Sequence, residues 1–399
     1  MLEGVKVVEL ATYMAAPSAA MVLADWGADV IKIEELGGDP VRKAFHGVSR
    51  NKLTGNPMFA FDNRGKRGVA VNIRDAAGAK IVREMIASAD VFITNVRPAA
   101  LERAGLDYES IARENPRLIY ASVTGYGLQG AETNRPGFDI VAFWARSGLA
   151  RMIAPKGADP IPIRAAVGDH ITGITTVSGI LAALYARDRT GKGMLVETSL
   201  LRTGIFALAS DMATQMHFGK LSSTPPRERA DEATRNFYKT SDGEWLMLIP
   251  RGNKTDFGDI CKVVGHPEIL DDPRFKTPID RKENAAVMVK MFDESIAKRT
   301  LAEWGKIFDD ADLVWAPVLH PSQVVVDPQA HASGAFIDVP DGQGGMVKGI
   351  ASPVRFNGEA ILPKRPMPEP GQHTAEVLGE LGYDAATIEK LRAGGVVNF

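Results

Sequence analysis

The sequence predicts an α/β protein: a large domain on a parallel sheet flanked by helices, with a smaller α+β domain inserted into it. Two observations carry this. Strand-like and helix-like stretches alternate through the first half, as βαβ units require. A polar stretch with two prolines, KLSSTPPRERADEATRN at 219–235, then breaks the alternation and reads as a linker. The expected organisation is a large domain over 1–218, the linker at 219–235, a small domain over 236–318 and a return to the large domain over 319–399.

In chain order, Val5 to Leu10 is an apolar strand. Pro17 to Trp26 reads as a helix, with Pro17 suited to the first helical position and Gly27 to the stop. Val30 to Ile33 is the second strand and Val69 to Ile73 another; Asp75 then caps a helix through Ser88. Val91 to Thr94 and Leu118 to Val123 continue the series. Past the linker come short strands at Phe237 to Thr240 and Trp245 to Ile249, helices through about Ile307, and a strand at Val314 to Val318. Thr374 to Arg392 reads as two short helices, and the Pro/Gly-rich stretches near 339–345 and 363–371 as surface connections.

The 399 residues are 45% hydrophobic and 24% charged, enough for a full core. A formal net charge of -2, without a basic block, argues against a nucleic-acid partner. Cys261 stands alone, so no internal disulfide can form, which fits a reducing cytoplasm. MLEGVKVVEL reads as a strand rather than a signal peptide, and the longest apolar runs are too short to span a bilayer.

Gly125-Tyr-Gly127-Leu-Gln-Gly130 matches GxGxxG and follows a strand, but the chain continues AETNRPGFD, a loop where a dinucleotide site needs a helix. No two of the histidines His46, His170, His217, His266, His320, His331 and His373 are spaced i, i+4, and no metal is expected. GxSxG is absent. The informative stretch is Ala165-Ala-Val-Gly-Asp169-His-Ile-Thr-Gly173, which enters a helix with Ile174, Val177, Leu181 and Leu184 on one face. Asp169 reads in two ways. It is an ordinary N-cap, or it is a nucleophile beside free N–H groups and the positive end of the helix dipole. Gly168 and Gly173 would leave room for a ligand.

The blocks ADWGADVIKIE, GGDPVR, NRGKRG, ITNVRPAALERAGLDYE, ASVTGYG, AVGDHITG, TGKG, DDPRF and HTAEVLGELGY, in this order, resemble the family III (CaiB/BaiF) CoA-transferases, from Val5 to about Val397. PGFD and GDH are similar to a branch acting on 2-hydroxy acids such as phenyllactate. The resemblance implies a Rossmann-like large domain and an interlocked-ring homodimer. It implies transfer of CoA from an acyl-CoA donor to a carboxylic acid, through a mixed anhydride and an aspartyl-CoA thioester. CoA and acyl-CoA are substrates; no tightly bound cofactor, nucleic acid or membrane is expected.

By this resemblance Asp169 matches the nucleophile and Asp139 an acidic position near the active site. Asp139 also reads as a cap for Ile140 to Ser147. Met14 and Ala15 match the loop at the thioester end. Val71, Asn72 and Arg74 match positions around the adenine, and Asn95 and Arg103 further contacts, Arg103 suited to a phosphate. Arg42 belongs with the CoA contacts and also reads as surface charge. Glu35 and Pro136 replace basic residues of formyl-CoA transferase, with Arg135 adjacent to the latter, and the four-glycine lid loop is missing. Two rivals remain. An α-methylacyl-CoA racemase would need a histidine where Phe138 stands. A CoA-binding protein without turnover is the other.

Overall fold

Residues alternating between the two sheet faces build the strands, and β-branched side chains fill both faces. Chain order gives β1 (Lys6–Leu10), β2 (Asp29–Glu34), β3 (Arg67–Val71), β4 (Val91–Thr94), β5 (Ile119–Thr124) and β6 (Met194–Ser199). There follow β7 (Asn236–Lys239), β8 (Trp245–Ile249), β9 (Val314–Pro317), β10 (Phe336–Pro340), β11 (Met346–Ile350) and β12 (Val397–Asn398). The computed structural model describes residues 1–44, 56–252, 256–359 and 361–399. They divide into two compact units: Met1–Arg151 with Ile161–Leu221 and Ala332–Phe399, and Met152–Pro160 with Ser222–His331.

In the first unit, among the described residues, a seven-stranded sheet has the order β12-β3-β2-β1-β4-β5-β6. Only β12 runs antiparallel to its neighbour. Val7 joins a cluster with the Ala15–Asp25 helix and with Val177, Ile180 and Leu184 of the Val167–Thr190 helix. Val8, one residue on, joins Ile81, Val82, Met85 and the tail residues Val377, Leu378 and Ile388 on the opposite face. Both faces are covered, so β3 and β4 are buried along their whole length. β1 lies between β2 and β4, where the order of strands reverses, and such a point leaves a crevice at the carboxyl ends.

The Ala15–Asp25 helix begins two residues before the sequence reading places it. Pro17 is tolerated there because its missing N–H is among the four a helix start leaves free. All eleven residues of this helix are buried. The Val167–Thr190 helix packs closely on it: a Cβ on Gly173 would collide with Ser18 Oγ and come within 3.0 Å of the Ala15 carbonyl oxygen. Gly173 therefore makes room for a neighbouring helix rather than a ligand. At 24 residues this helix is long and apolar enough to cross a membrane by length and composition, against the expectation that no stretch is. Here Val177, Ile180, Ala183 and Leu184 pack into the core, while Val167, Ile171 and Tyr185 stay exposed. The stretch near 339–345 includes the end of β10 and the turn to β11, an antiparallel hairpin, rather than open connection alone.

In the second unit β7, β8 and β9 form an antiparallel sheet. Its core gathers Tyr238, Leu246, Leu248, Phe292, Ile296, Trp304 and Phe308. Thr300 and Glu303 form a reciprocal capping box that fixes the start of the Leu301–Asp310 helix.

Candidate active site

The carboxyl end of β1 opens into Ala11–Met14. Asn95, just after β4, clamps this turn from both sides: its Oδ1 accepts from Thr12 N–H at 3.1 Å and its Nδ2 donates to the Thr12 carbonyl at 2.6 Å. Tyr13 is held at φ 63, a left-handed conformation uncommon for a bulky residue. Met14 is buried with Val41, Phe59 and Ala166, which joins the turn to the start of the Val167–Thr190 helix; Ala15 is buried at the first position of its own helix.

Asp169 is not the N-cap that its spacing suggests. The helix starts at Val167, the capping position is Ala166 at φ 82, and Asp169 is third in the first turn. Among the described residues, nothing bonds to its carboxylate. The cap is supplied from elsewhere. Asp139, 3% exposed, accepts a hydrogen bond from Gly168 N–H at 3.2 Å, the second residue of the helix. Asp139 makes no side-chain bond to the π-helical segment Ile140–Ala145 that follows it, so its reading as a local cap fails. Gly168 must be glycine because a Cβ would strike the ring of Phe143. As with Gly173, the room is taken by protein. Gly125 and Gly137 also need their bareness: a Cβ on Gly125 would lie 2.9 Å from the Gly137 Cα. This contact seats Phe138 and Asp139 against the end of β5, and it is where the GxGxxG match finds its use.

Burial first, then the like charge of Asp139, pushes the Asp169 carboxyl up to about 7, against the opposing pull of His170; Asp62 adds to the rise. His170 donates or shares a proton through Nε2 with Asp62 Oδ1 at 3.2 Å, and the ring of Phe61 packs edge-on to it at 5.2 Å. Tyr13 and Phe138 form another edge-on pair at 5.0 Å, beside Met14 and Asp139, with 40% and 52% of their surfaces exposed. Sequence reading missed Asp62, which is 108 positions from His170 and shares no motif with it. It also missed the pairing of Tyr13 with Phe138.

The remaining candidates fall into three groups. Arg74 and Arg103 come together in a groove of about 330 Å³, with Lys80 and Arg83 beside them and Ile73, Asp75 and Ala79 in its wall. Val71 and Asn72 lead into it, but Val71 is fully buried against β12 and Asn72 accepts from Arg74 N–H. Arg42 is committed elsewhere. Nε and Nη2 grip the two oxygens of Glu34 at 2.7 and 2.6 Å, Nη2 reaches the Pro368 carbonyl, and the guanidinium lies 3.9 Å from the centre of the Phe59 ring. Arg135 is exposed, pairs with Glu132 and lies 5.4 Å from the centre of the Tyr126 ring. Among the described residues, no His/Cys/Asp/Glu group could hold a metal. His46 lies outside the described residues. A larger hollow of about 560 Å³ belongs to the second unit, lined by Trp315, Lys306, Asp309 and Asp310 among others, with none of the candidate residues.

The model of CoA-transferase family III matches residues 2–374. An (R)-2-hydroxy-4-methylpentanoate CoA-transferase from Clostridioides difficile is 35% identical, with both chains covered in full. A cinnamoyl-CoA:phenyllactate CoA-transferase from Clostridium sporogenes is 32% identical over 98% of this chain and 96% of its own. A succinyl-CoA:glutarate CoA-transferase from Homo sapiens is 33% identical over 100% and 90%. A crystal structure of a CaiB/BaiF family protein from Brucella suis superposes with a TM-score of 0.81 at 32% identity, covering 95% of this chain and 99% of that one. With the family model spanning nearly the whole length and the fold shared with a solved member, the chain belongs to CoA-transferase family III.

Proposed function

We propose that this CoA-transferase works through Asp169 as a covalent nucleophile. The observation that carries the reading is a carboxylate on the first turn of a partly buried helix, free of hydrogen bonds among the described residues and destabilised by burial and by Asp139. A carboxylate neither capped nor paired keeps its electron pairs for attack.

Asp169 Oδ attacks the thioester carbonyl carbon of the donor, the C–S bond breaks, and the CoA thiolate leaves with its electron pair. The product is a mixed anhydride of Asp169 and the donor acid. The thiolate attacks Cγ of Asp169, expelling the donor carboxylate and leaving an aspartyl-CoA thioester. The acceptor carboxylate attacks the same Cγ and releases CoA thiolate, which attacks the acyl carbonyl of the new anhydride. Acceptor acyl-CoA departs and the Asp169 carboxylate is restored. No proton is gained or lost, so no general base is required. What the cycle does need is an ionised Asp169 and a site that keeps water from the anhydride.

Arg74 and Arg103 suit the phosphates of CoA, and Met14 and Ala15 the thioester end. The Tyr13–Phe138 pair offers an apolar surface for the acyl side chain. That favours 2-hydroxy acids with branched or aromatic substituents, as named for the Clostridioides and Clostridium relatives. Phe138 cannot carry a proton, which weighs against racemisation. The reducing cytoplasm suits a chain whose single cysteine is buried and free.

Asp169→Asn tests the reading. Asparagine cannot form the anhydride, so exchange between an acyl-CoA and a 2-hydroxy acid should fall on the order of a thousandfold or more. Incubation with acyl-CoA alone should leave CoA on the wild-type peptide containing Asp169, trapped by hydroxylamine as a hydroxamate. An active Asp169→Asn protein, or label on another peptide, would remove the proposal.

A further inference from the structure

We propose that His170, clamped by the buried carboxylate of Asp62, is a positioning residue whose imidazolium keeps Asp169 anionic and ready to attack. This rests on Asp169 being the nucleophile. Three observations lead to it.

The first is geometry. Asp62 sits on the Pro57–Asn63 helix with its side chain 2% exposed, and its Oδ1 lies 3.2 Å from His170 Nε2. His170 immediately follows Asp169, so an acid from a different helix fixes the orientation of the ring beside the nucleophile. The edge of Phe61 limits the ring further.

The second is charge balance. Behind Asp62 lies a cluster of fully buried groups. Lys32 bridges Glu9 and Asp39 at 3.0 and 3.1 Å, and Lys66 pairs with Glu9 at 2.6 Å and donates to Asn63 Oδ1. Glu34 and Arg42 neutralise each other, as do Asp25 and Arg64. Among the described residues, Glu9, Asp39 and Asp62 then face Lys32 and Lys66. A protonated His170 places a cation against Asp62, whose burial otherwise pushes its carboxyl toward the neutral form.

The third is the direction of the fields. Burial disfavours the imidazolium, but the hydrogen bond and charge of Asp62, with Asp169 and Asp139 behind it, hold His170 above its ordinary value. Among the described residues, the titratable groups that act on Asp169 are Asp139 before the π-helical segment, Asp62 on the Pro57–Asn63 helix, and His170 on its own helix. Among the described residues two of them raise its pKa, and His170 alone lowers it. Removing the imidazole would leave Asp169 facing two carboxylates.

The test is the pH profile of kcat/KM for acyl exchange between pH 5 and 9.5. Loss of the cation in His170→Gln moves the acid limb of Asp169 upward. Transfer at pH 6 should fall about tenfold for each unit of that shift and recover to the wild-type rate by about pH 9. His170→Lys, which restores a cation against Asp62, should bring the limb back toward wild type. A uniform loss across pH, or an unchanged profile, overturns the proposal. Asp169→Asn is assayed alongside: if it stays active, the nucleophile reading fails. If it is dead while His170→Gln keeps the wild-type profile, only the His170 proposal fails. Should the variants not fold, NMR titration of wild-type His170 decides the matter. Titration above about 6.5 supports the proposal, and titration below that value overturns it.

Discussion

At Asp169, the proposed reactivity and the stability of the fold pull in opposite directions. An ordinary exposed aspartate titrates near 3.8, and the folded chain holds this one at about 7. Between these values the fold binds a proton that the unfolded chain has released, so stability falls as pH rises through the interval. Above pH 7 the full cost is present, roughly 2–4 kcal/mol from a shift of this size with allowance for partial solvent screening. An asparagine side chain in the same place would carry no charge to desolvate. Asp169→Asn should therefore melt a few degrees higher than wild type at pH 8, with the gain shrinking toward nothing near pH 4. Differential scanning fluorimetry across pH reads this directly, and a variant less stable than wild type at pH 8 would contradict it. If Asp169 is the nucleophile, as proposed, the same shift predicts that transfer declines on acidification through about pH 7, as its carboxylate takes up a proton.

At the scale of elements, the turn that carries Asp169 is assembled from distant segments. Asp139 caps a helix that begins 28 residues later, and Gly168 admits the ring of Phe143 so that the two segments can meet. Spacing pointed to Asp169 and the family resemblance to Asp139, and the capping alternative read for each is not the one the backbone shows. Asp169 stands where a cap would stand, and only the backbone shows that the helix has already begun at Val167. Asp139 precedes a helical segment yet serves another helix, a pairing that no short window can reveal. The structure separates its two effects. Asp139→Ala removes the Gly168 cap, costing about 1 kcal/mol, and frees the turn that carries Asp169, so transfer should fall by more than stability alone explains. Asp139→Asn keeps an acceptor oxygen and removes only the charge. It should retain most of the stability while moving the acid limb of kcat/KM to lower pH, because a like charge beside Asp169 is gone. If both variants lose the same activity with no change in the limb, the charge of Asp139 has no part in tuning Asp169.

For the whole molecule, the parallel sheet was legible because strand and helix periods alternate regularly over the first 124 residues, and the tail helices because their apolar spacing is helical. The buried cluster of Lys32, Lys66, Glu9 and Asp62 was not, since charged residues read as surface until their partners are known. What the single chain leaves uncovered is equally telling. The Ala209–Phe218 helix has no buried residue, and Phe206, Met216 and Phe218 are 78%, 80% and 66% exposed. An apolar surface of this kind needs a cover, and family resemblance implies that the cover is a second copy interlocked with the first. Interlocked rings cannot part without unfolding, so dilution should yield no folded monomer. Light scattering after chromatography should find a particle of twice 43.0 kDa over a wide concentration range. Charge placed on this surface, as in Phe206→Glu with Met216→Glu, should lower the yield of folded dimer instead of releasing a stable monomer. A well-folded species of 43.0 kDa as the main form, in wild type or variant, would show that the exposed helix serves another partner and that the ring arrangement does not hold for this chain.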